Sequence, residues 1–87
     1  MIKIRYSERF LRAARKLPSP QQKKLASLLE TLQEDPFHPQ LHTKPLVGEL
    51  SGLYAFRITR DWRVIFQFLN EKTIHLIEVG HRKDIYR

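Results

Sequence analysis

The strongest constraint on the fold is an alternation of apolar and polar residues in the C-terminal half of the chain. Residues 53–59, 62–69 and 73–79 each have the pattern of a β-strand, and only short turns separate them. Consecutive strands joined by such turns must be antiparallel. One face of the first two strands is apolar throughout and carries Tyr54, Phe56, Ile58, Val64, Phe66 and Phe68. This face predicts a sheet that is covered on one side.

The N-terminal half supplies elements that can cover the sheet. Residues 2–6 alternate apolar with basic side chains and predict a short strand. Ser7 is suited to cap a helix that Pro18 ends. A second helix is predicted from an N-cap at Ser19, a capping box completed by Gln22, and an apolar stripe of Leu25, Leu28, Leu29 and Leu32.

The predicted fold class is therefore α+β with two layers. In this arrangement the N-terminal strand and an antiparallel helical hairpin pack on one face of a mainly antiparallel four-stranded sheet. With 87 residues, the sequence predicts one domain, 1–87. The absence of cysteine excludes disulfides and thiolate metal sites. Because no signal peptide or long apolar run is present, we expect a soluble, cytoplasmic protein.

The charge balance is the first indication of function. Lysine and arginine total 16 against 9 acidic residues, which gives a net charge of +7. Such a chain attracts polyanions and has non-specific affinity for nucleic acid. A merely soluble basic surface is the simpler alternative, and an acidic protein partner stays open. Membrane binding is disfavoured, because no helix pairs a basic face with exposed Trp and Phe.

The tip of the first hairpin concentrates unusual side chains. Helices can cover only the apolar sheet face, so Arg57 and Arg63 are expected on the opposite, solvent-reached face. His81 and Arg82 follow the last strand and are expected beside these arginines. Each residue alone also has an ordinary explanation as a solvated, turn or packing residue, and Trp62 in particular suits a packing role. Their occurrence together favours a functional surface.

At this point the sequence resembles a known family. The segments KPLVGELSGLYAFRI, DWRVIFQF and EVGHRKDIY, together with the order of elements, resemble the RelE/ParE superfamily of bacterial and archaeal toxins from toxin–antitoxin pairs. The resemblance spans essentially the whole chain. It implies a RelE-like, microbial-RNase-like fold and an endoribonuclease that cuts messenger RNA, commonly on the ribosome. A subset of the superfamily instead poisons DNA gyrase.

The resemblance also implies residue roles. It implies that Arg63 contacts the scissile phosphate and that His81 acts as a catalytic acid or base. The implied catalytic set is His81, Arg63, Arg57, Asp61 and Tyr86. The implied substrate-binding set is Trp62, Arg82, Lys44, Arg60 and Lys83. No metal or cofactor is expected. The chain mixes features of the RelE, YoeB and YafQ branches, and we assign it to none of them.

These residue types suit metal-free RNA cleavage. The reaction removes the 2′-OH proton, attacks the adjacent phosphate and protonates the leaving 5′-oxygen, so it needs a base, an acid and cations. Histidine titrates in a suitable range, and arginine grips two phosphate oxygens at once. An aromatic side chain holds an unstacked base. His38, His42 and His75 have no such support and are interpreted as two loop residues and a solvent-facing strand residue.

The expected partners follow from the resemblance and the charge. They are a cognate antitoxin, acidic and encoded by a neighbouring gene, and messenger RNA with the ribosome. The chain is expected as a free monomer or in a toxin–antitoxin hetero-oligomer, without membrane association. Two alternatives stay open at this stage: a ParE-like gyrase inhibitor without nuclease activity, and an inactive relative that only binds RNA or an antitoxin.

Overall fold

The computed structural model describes residues 1–86 and forms one sheet with the two long helices on one side. In chain order the elements are β1 (Lys3–Tyr6), α1 (Glu8–Arg15), α2 (Ser19–Glu34), β2 (Lys44–Pro45), β3 (Tyr54–Arg57), β4 (Trp62–Asn70), β5 (Thr73–His81) and α3 (Arg82–Ile85). Short 3₁₀ turns at Pro39–Leu41 and Gly48–Leu50 shape the loops around β2. Within residues 1–86, no helix is long and apolar enough to cross a membrane.

The sheet has the strand order β1-β5-β4-β3-β2. β1 pairs parallel with β5, and the other neighbours are antiparallel. The two-layer α+β prediction is confirmed, but the sheet has five strands and not four, because Lys44–Pro45 adds a two-residue edge strand beside β3. Proline has no N–H for a sheet ladder and is confined largely to sheet edges, so its segment resembled a loop in the sequence.

The core lies between the helices and the apolar sheet face. On the helix side, the predicted leucine stripe buries Leu25, Leu28 and Leu32, and Leu29 is partly buried. These side chains form one cluster with the sheet residues Phe56, Ile58, Val64, Phe66 and Leu76. The leucine stripe of the N-terminal half therefore packs against the apolar sheet face of the C-terminal half.

Ser7 connects the first helix to the sheet. Its hydroxyl accepts a hydrogen bond from the Phe10 amide at 2.9 Å, which is the predicted N-cap interaction. The same hydroxyl donates to the Ile77 carbonyl at 2.7 Å, across 70 positions of sequence. The start of α1 is therefore fixed to β5.

The capping box predicted for the second helix is wrong. α2 begins at Ser19 with Pro18 as N-cap, and no side chain caps its amides. Instead, the Gln22 side-chain amide donates to the Ala14 and Arg15 carbonyls at 3.1 and 3.0 Å. The last carbonyls of a helix have no partner within that helix, so Gln22 stabilises the end of α1 from the next helix.

The loop after α2 is anchored at several points. Leu41 is fully buried, and the Thr43 hydroxyl donates to the Pro36 carbonyl at 2.6 Å. The His38 Nδ1 accepts the Gln40 amide at 3.1 Å, so that His38 caps the short 3₁₀ turn. These anchors fix the backbone on both sides of His42.

We expect Leu41→Ala to lower the free energy of unfolding by about 2–5 kcal/mol, the usual effect of removing a fully buried leucine. Denaturant unfolding followed by circular dichroism measures the change. Leu69→Ala is the matched control, because Leu69 is 48% exposed. Equal effects of the two substitutions would show that Leu41 does not anchor the loop.

Candidate functional site

Two arginines lie side by side on the sheet face that points away from α1 and α2. Arg57 on β3 pairs directly with Arg63 on β4, whose other neighbour on β5 is Gly80. The preceding and following residues, Phe56 and Val64, are in the core. Because successive side chains of a strand point to opposite faces, both arginines face the open side, as predicted.

A cleft opens around these arginines. Two adjoining cavities of about 350 and 410 Å³ share three lining residues, which are His42, Arg57 and Arg63. We call these two cavities the basic cleft. The first cavity continues over Lys44, Pro45, Leu46, Val47, Leu50, Ala55, Phe56 and Tyr86. The second continues over Lys24, Gln40, Ile58, Thr59, Arg60 and Arg82. Among the described residues, no acidic side chain lines either cavity.

Arg63 is held in place on two sides. Its Nε and Nη2 donate to the Arg60 carbonyl at 3.4 and 3.2 Å. Its guanidinium carbon lies 5.8 Å from the centroid of the Tyr86 ring, within the range of a cation–π contact. A guanidinium has five N–H donors, so these contacts leave others for an anion. Arg63 is therefore oriented before any ligand binds.

Asp61 positions Arg82. The Arg82 Nε lies 3.4 Å from the Asp61 Oδ1, and the Arg82 amide donates to the Asp61 carbonyl at 2.7 Å. Arg82 opens α3 and lines the cleft, whereas Asp61 does not line it. Lys83 also lies outside the lining, exposed on α3. Of the predicted residues, the cleft thus brings together Arg57, Arg60, Arg63, Arg82, Lys44 and Tyr86.

The structure does not bring Trp62 or His81 into the basic cleft, although His81 was expected beside the arginines, and the roles of both residues stay predictions. The two residues pair with each other across β4 and β5, and their ring centroids are 5.4 Å apart in an edge-to-face contact. Trp62 packs against the hydrophobic core. The reason is the period of a strand: Trp62 precedes Arg63 by one residue and points to the other face. The His81 Nδ1 accepts the Lys83 amide at 3.2 Å and caps α3.

His42 lies in the cleft, although no functional role was predicted for it. It ends the anchored loop in a left-handed conformation, with φ 50° and ψ 40°. Its place in the cleft depends on that backbone conformation and on the pairing of Lys44 with Ala55, a cleft residue, and neither is visible in the sequence.

The cleft can bind an anion with an attached apolar or aromatic group. Its cationic half presents arginines, which suit the oxygens of a phosphate or carboxylate. Its other half has the aliphatic wall of Leu46, Val47 and Leu50 beside Tyr86. Within residues 1–86, no group of three or more histidine or acidic side chains is arranged to hold a metal ion.

Sequence comparison identifies the family. Residues 4–86 match the family described as the ParE toxin of the type II toxin–antitoxin system parDE. The chain belongs to this family. It is thus a toxin of the RelE/ParE superfamily, as the sequence motifs predicted. No curated protein matches the toxin's sequence.

Solved structures agree with this fold. YafQ from E. coli strain BL21(DE3) superposes with a TM-score of 0.81 at 20% identity, covering 100% of both chains. The archaeal RelE–RelB complex from Pyrococcus horikoshii OT3 gives a TM-score of 0.77 at 20% identity, covering 95% of the toxin and 97% of that chain. The toxin–antitoxin complex RelBE2 from Mycobacterium tuberculosis gives 0.70 at 28% identity, with coverage of 93% and 98%.

We expect Trp62→Ala to lower the free energy of unfolding by about 1.5–3 kcal/mol, because the ring packs against the core. Trp62→Phe is the control that keeps most of the packing. Denaturant unfolding and RNA binding are measured on both variants. Unchanged stability with lost RNA binding would restore the interpretation of Trp62 as a platform for the substrate.

Proposed function

We propose that this toxin is an endoribonuclease that cleaves messenger RNA on the ribosome, needs no metal ion, and stops translation in the cytoplasm. The observation that carries the proposal is the fixed position of Arg63. It lies between the Arg60 carbonyl and the Tyr86 ring, in a cleft that also contains Arg57 and Arg82. Preorganised cations of this kind stabilise the charge that develops on a phosphate during cleavage.

The cleft suits the parts of a ribonucleotide. Arg57 and Arg63 are neighbours across the two strands and would hold the phosphate, since arginine donates to two oxygens at once. The attacking 2′-oxygen belongs to the RNA, so the protein has to supply charge stabilisation and proton transfer. Tyr86 and the aliphatic wall can receive an unstacked base, which single-stranded RNA presents readily.

The proposal is tested by mapping new 5′ ends on messenger RNA after the toxin is induced in cells. Purified toxin is then mixed with a short messenger RNA, with and without ribosomes. We expect cleavage within the coding sequence, and cleavage in the purified mixture only when ribosomes are present. Cleavage without ribosomes would overturn the ribosome requirement, and the absence of new 5′ ends would overturn the nuclease.

A second function is favoured by the family match itself. The matching family is the toxin of parDE, and the resemblance seen in the sequence implies that part of the superfamily inhibits DNA gyrase without cutting RNA. A supercoiling assay with purified gyrase distinguishes the two functions. Inhibition of supercoiling together with intact messenger RNA would favour the gyrase inhibitor, and the reverse result would favour the nuclease.

We also propose a cognate antitoxin as the partner, acidic and encoded next to the toxin. The RelBE2 and RelE–RelB structures contain toxin–antitoxin complexes. On this chain, a partly apolar groove between α1 and α2 is available to such a partner, beside a basic helix surface. Its lining includes Tyr6, Phe10, Leu11, Ala14, Arg15, Leu25 and Leu29. Co-expression should give a hetero-oligomer and restore growth, and the toxin alone should behave as a monomer.

Arg63→Ala should reduce the rate of cleavage by about 10²–10³-fold, because it removes a preorganised donor worth roughly 2.7–4 kcal/mol in the transition state. Arg63→Lys should restore only part of the rate, since an ammonium lacks the planar fork. Single-turnover cleavage on programmed ribosomes measures both. Arg5→Ala is the control, because Arg5 lies on β1 and does not line the cleft. Wild-type cleavage by Arg63→Ala would remove Arg63 from the site.

Arg60→Ala should weaken binding of single-stranded RNA and flatten its salt dependence. The slope of log affinity against log salt should decrease in magnitude by about 0.7 for one lost phosphate contact. Fluorescence anisotropy over a salt series measures the slope. Arg12→Ala is the matched control on the exposed surface of α1, and it should leave the slope unchanged. Equal slopes for Arg60→Ala and the wild type would place the RNA outside the second cavity.

A further inference from the structure

We propose that His42 is the general base of the cleavage reaction, the group that takes the proton from the attacking 2′-hydroxyl. The inference rests on the proposed nuclease function. Arginine stays charged and does not accept a proton at physiological pH, so the arginines of the cleft cannot perform this step. Imidazole is the side chain suited to it.

The position of His42 in the cleft carries the inference. The two cavities of the basic cleft have three lining residues in common, and His42 is the one that is not an arginine. A phosphate held between Arg57 and Arg63 therefore lies in the space that His42 also borders. The same space continues to Tyr86, where a base can lie, so the connecting ribose falls between the base and the phosphate.

The backbone around His42 is built to hold one geometry. Leu41 before it is fully buried, and Thr43 after it is hydrogen-bonded to the Pro36 carbonyl. The His42 amide donates to the Pro39 carbonyl at 3.2 Å. Its left-handed φ of 50° is uncommon for a residue other than glycine, and such conformations cluster at functional sites. Here it makes His42 the C-cap of the 3₁₀ turn Pro39–Leu41.

The other histidines are engaged elsewhere. The Nδ1 atoms of His38 and His81 each accept a backbone amide and cap a short helical turn. His75 lies within the sheet between Arg5 and Gln67. His38, His75 and His81 are all absent from the lining of the cleft. Within residues 1–86, the His42 ring makes no hydrogen bond.

The chemical step is a transesterification. The neutral His42 imidazole takes the 2′-hydroxyl proton while the 2′-oxygen forms a bond to phosphorus. The bond from phosphorus to the 5′-oxygen breaks, and a water molecule in the open cleft gives that oxygen a proton. The products are a 2′,3′-cyclic phosphate and a 5′-hydroxyl. The imidazolium returns its proton to the hydroxide left by the water, so that no net charge is created.

The decisive variant is His42→Asn. Asparagine tolerates the left-handed conformation, so the loop is kept while the imidazole is removed. We expect single-turnover cleavage on programmed ribosomes to slow by about 10²–10⁴-fold, the usual range for general acid–base catalysis. The melting temperature and the affinity for the ribosome should be unchanged.

His81→Asn is the competing variant, because the sequence motifs favoured His81. We expect it to keep the α3 cap, because the asparagine side-chain oxygen can accept the Lys83 amide in place of the His81 Nδ1, and to slow cleavage much less than His42→Asn does. A slow His81→Asn beside a fully active His42→Asn would overturn the inference and return the role to His81. A loss of binding by His42→Asn, with an unchanged rate at saturation, would make His42 a contact residue only.

A modified substrate distinguishes the loss of a general base from the loss of a general acid. When sulfur replaces the bridging 5′-oxygen at the cleavage site, the leaving group no longer needs a proton, so loss of an acid is rescued and loss of a base is not. We expect His42→Asn to stay slow on this substrate. Rescue would overturn the assignment of His42 as the base. If wild-type toxin and all variants leave RNA intact, the nuclease proposal itself fails; if only Arg63→Ala is inactive, the nuclease stands and His42 is not its base.

Discussion

The structure depends on two like charges that are held side by side. Arg57 and Arg63 are direct partners across β3 and β4, an arrangement that weakens a hairpin when the charges are not compensated. The register cannot slip, because a shift of one residue would turn Phe56 and Val64 out of the core. The Arg60 carbonyl and the Tyr86 ring contact Arg63 and offset part of the cost. The same hydrophobic pattern that forms the core therefore forces a local excess of positive charge onto the open face.

Much of the fold was predictable from local patterns, and the errors have a common cause. The alternation in β3 to β5, the leucine stripe and the Ser7 cap all follow from rules that operate within a few residues, and all three are present. The predicted capping box is absent because the Gln22 side chain donates to carbonyls at the end of α1 and does not cap its own helix. Two-residue β2 was missed because pairing with β3, and not its own composition, makes it a strand. These features depend on tertiary contacts.

In the candidate site, too, the features that follow from local patterns were predicted and those that depend on tertiary contacts were missed. Strand period correctly placed Arg57 and Arg63, and strict use of that period also puts Trp62 on the opposite face. His42 was missed because its position depends on the burial of Leu41 and on a left-handed backbone, and neither appears in a one-dimensional pattern. Motif resemblance transfers residue types reliably between relatives, whereas a side chain's direction depends on the local backbone. The geometry of the loop therefore adds information that the motif lacks.

The parallel pairing of the first and last strands has a consequence for the timing of toxicity. β1 rests on β5, and Ser7 is bonded to a carbonyl 70 residues later. At about 5–20 residues per second, a ribosome takes about 3.5–14 s to make that interval, during which β1 has no partner strand. Arg82 and Tyr86 are made later still. The nascent chain thus carries Arg57 and Arg63 before it has the cleft that Arg82 and Tyr86 complete, so the cationic site forms only after the last strand has been made.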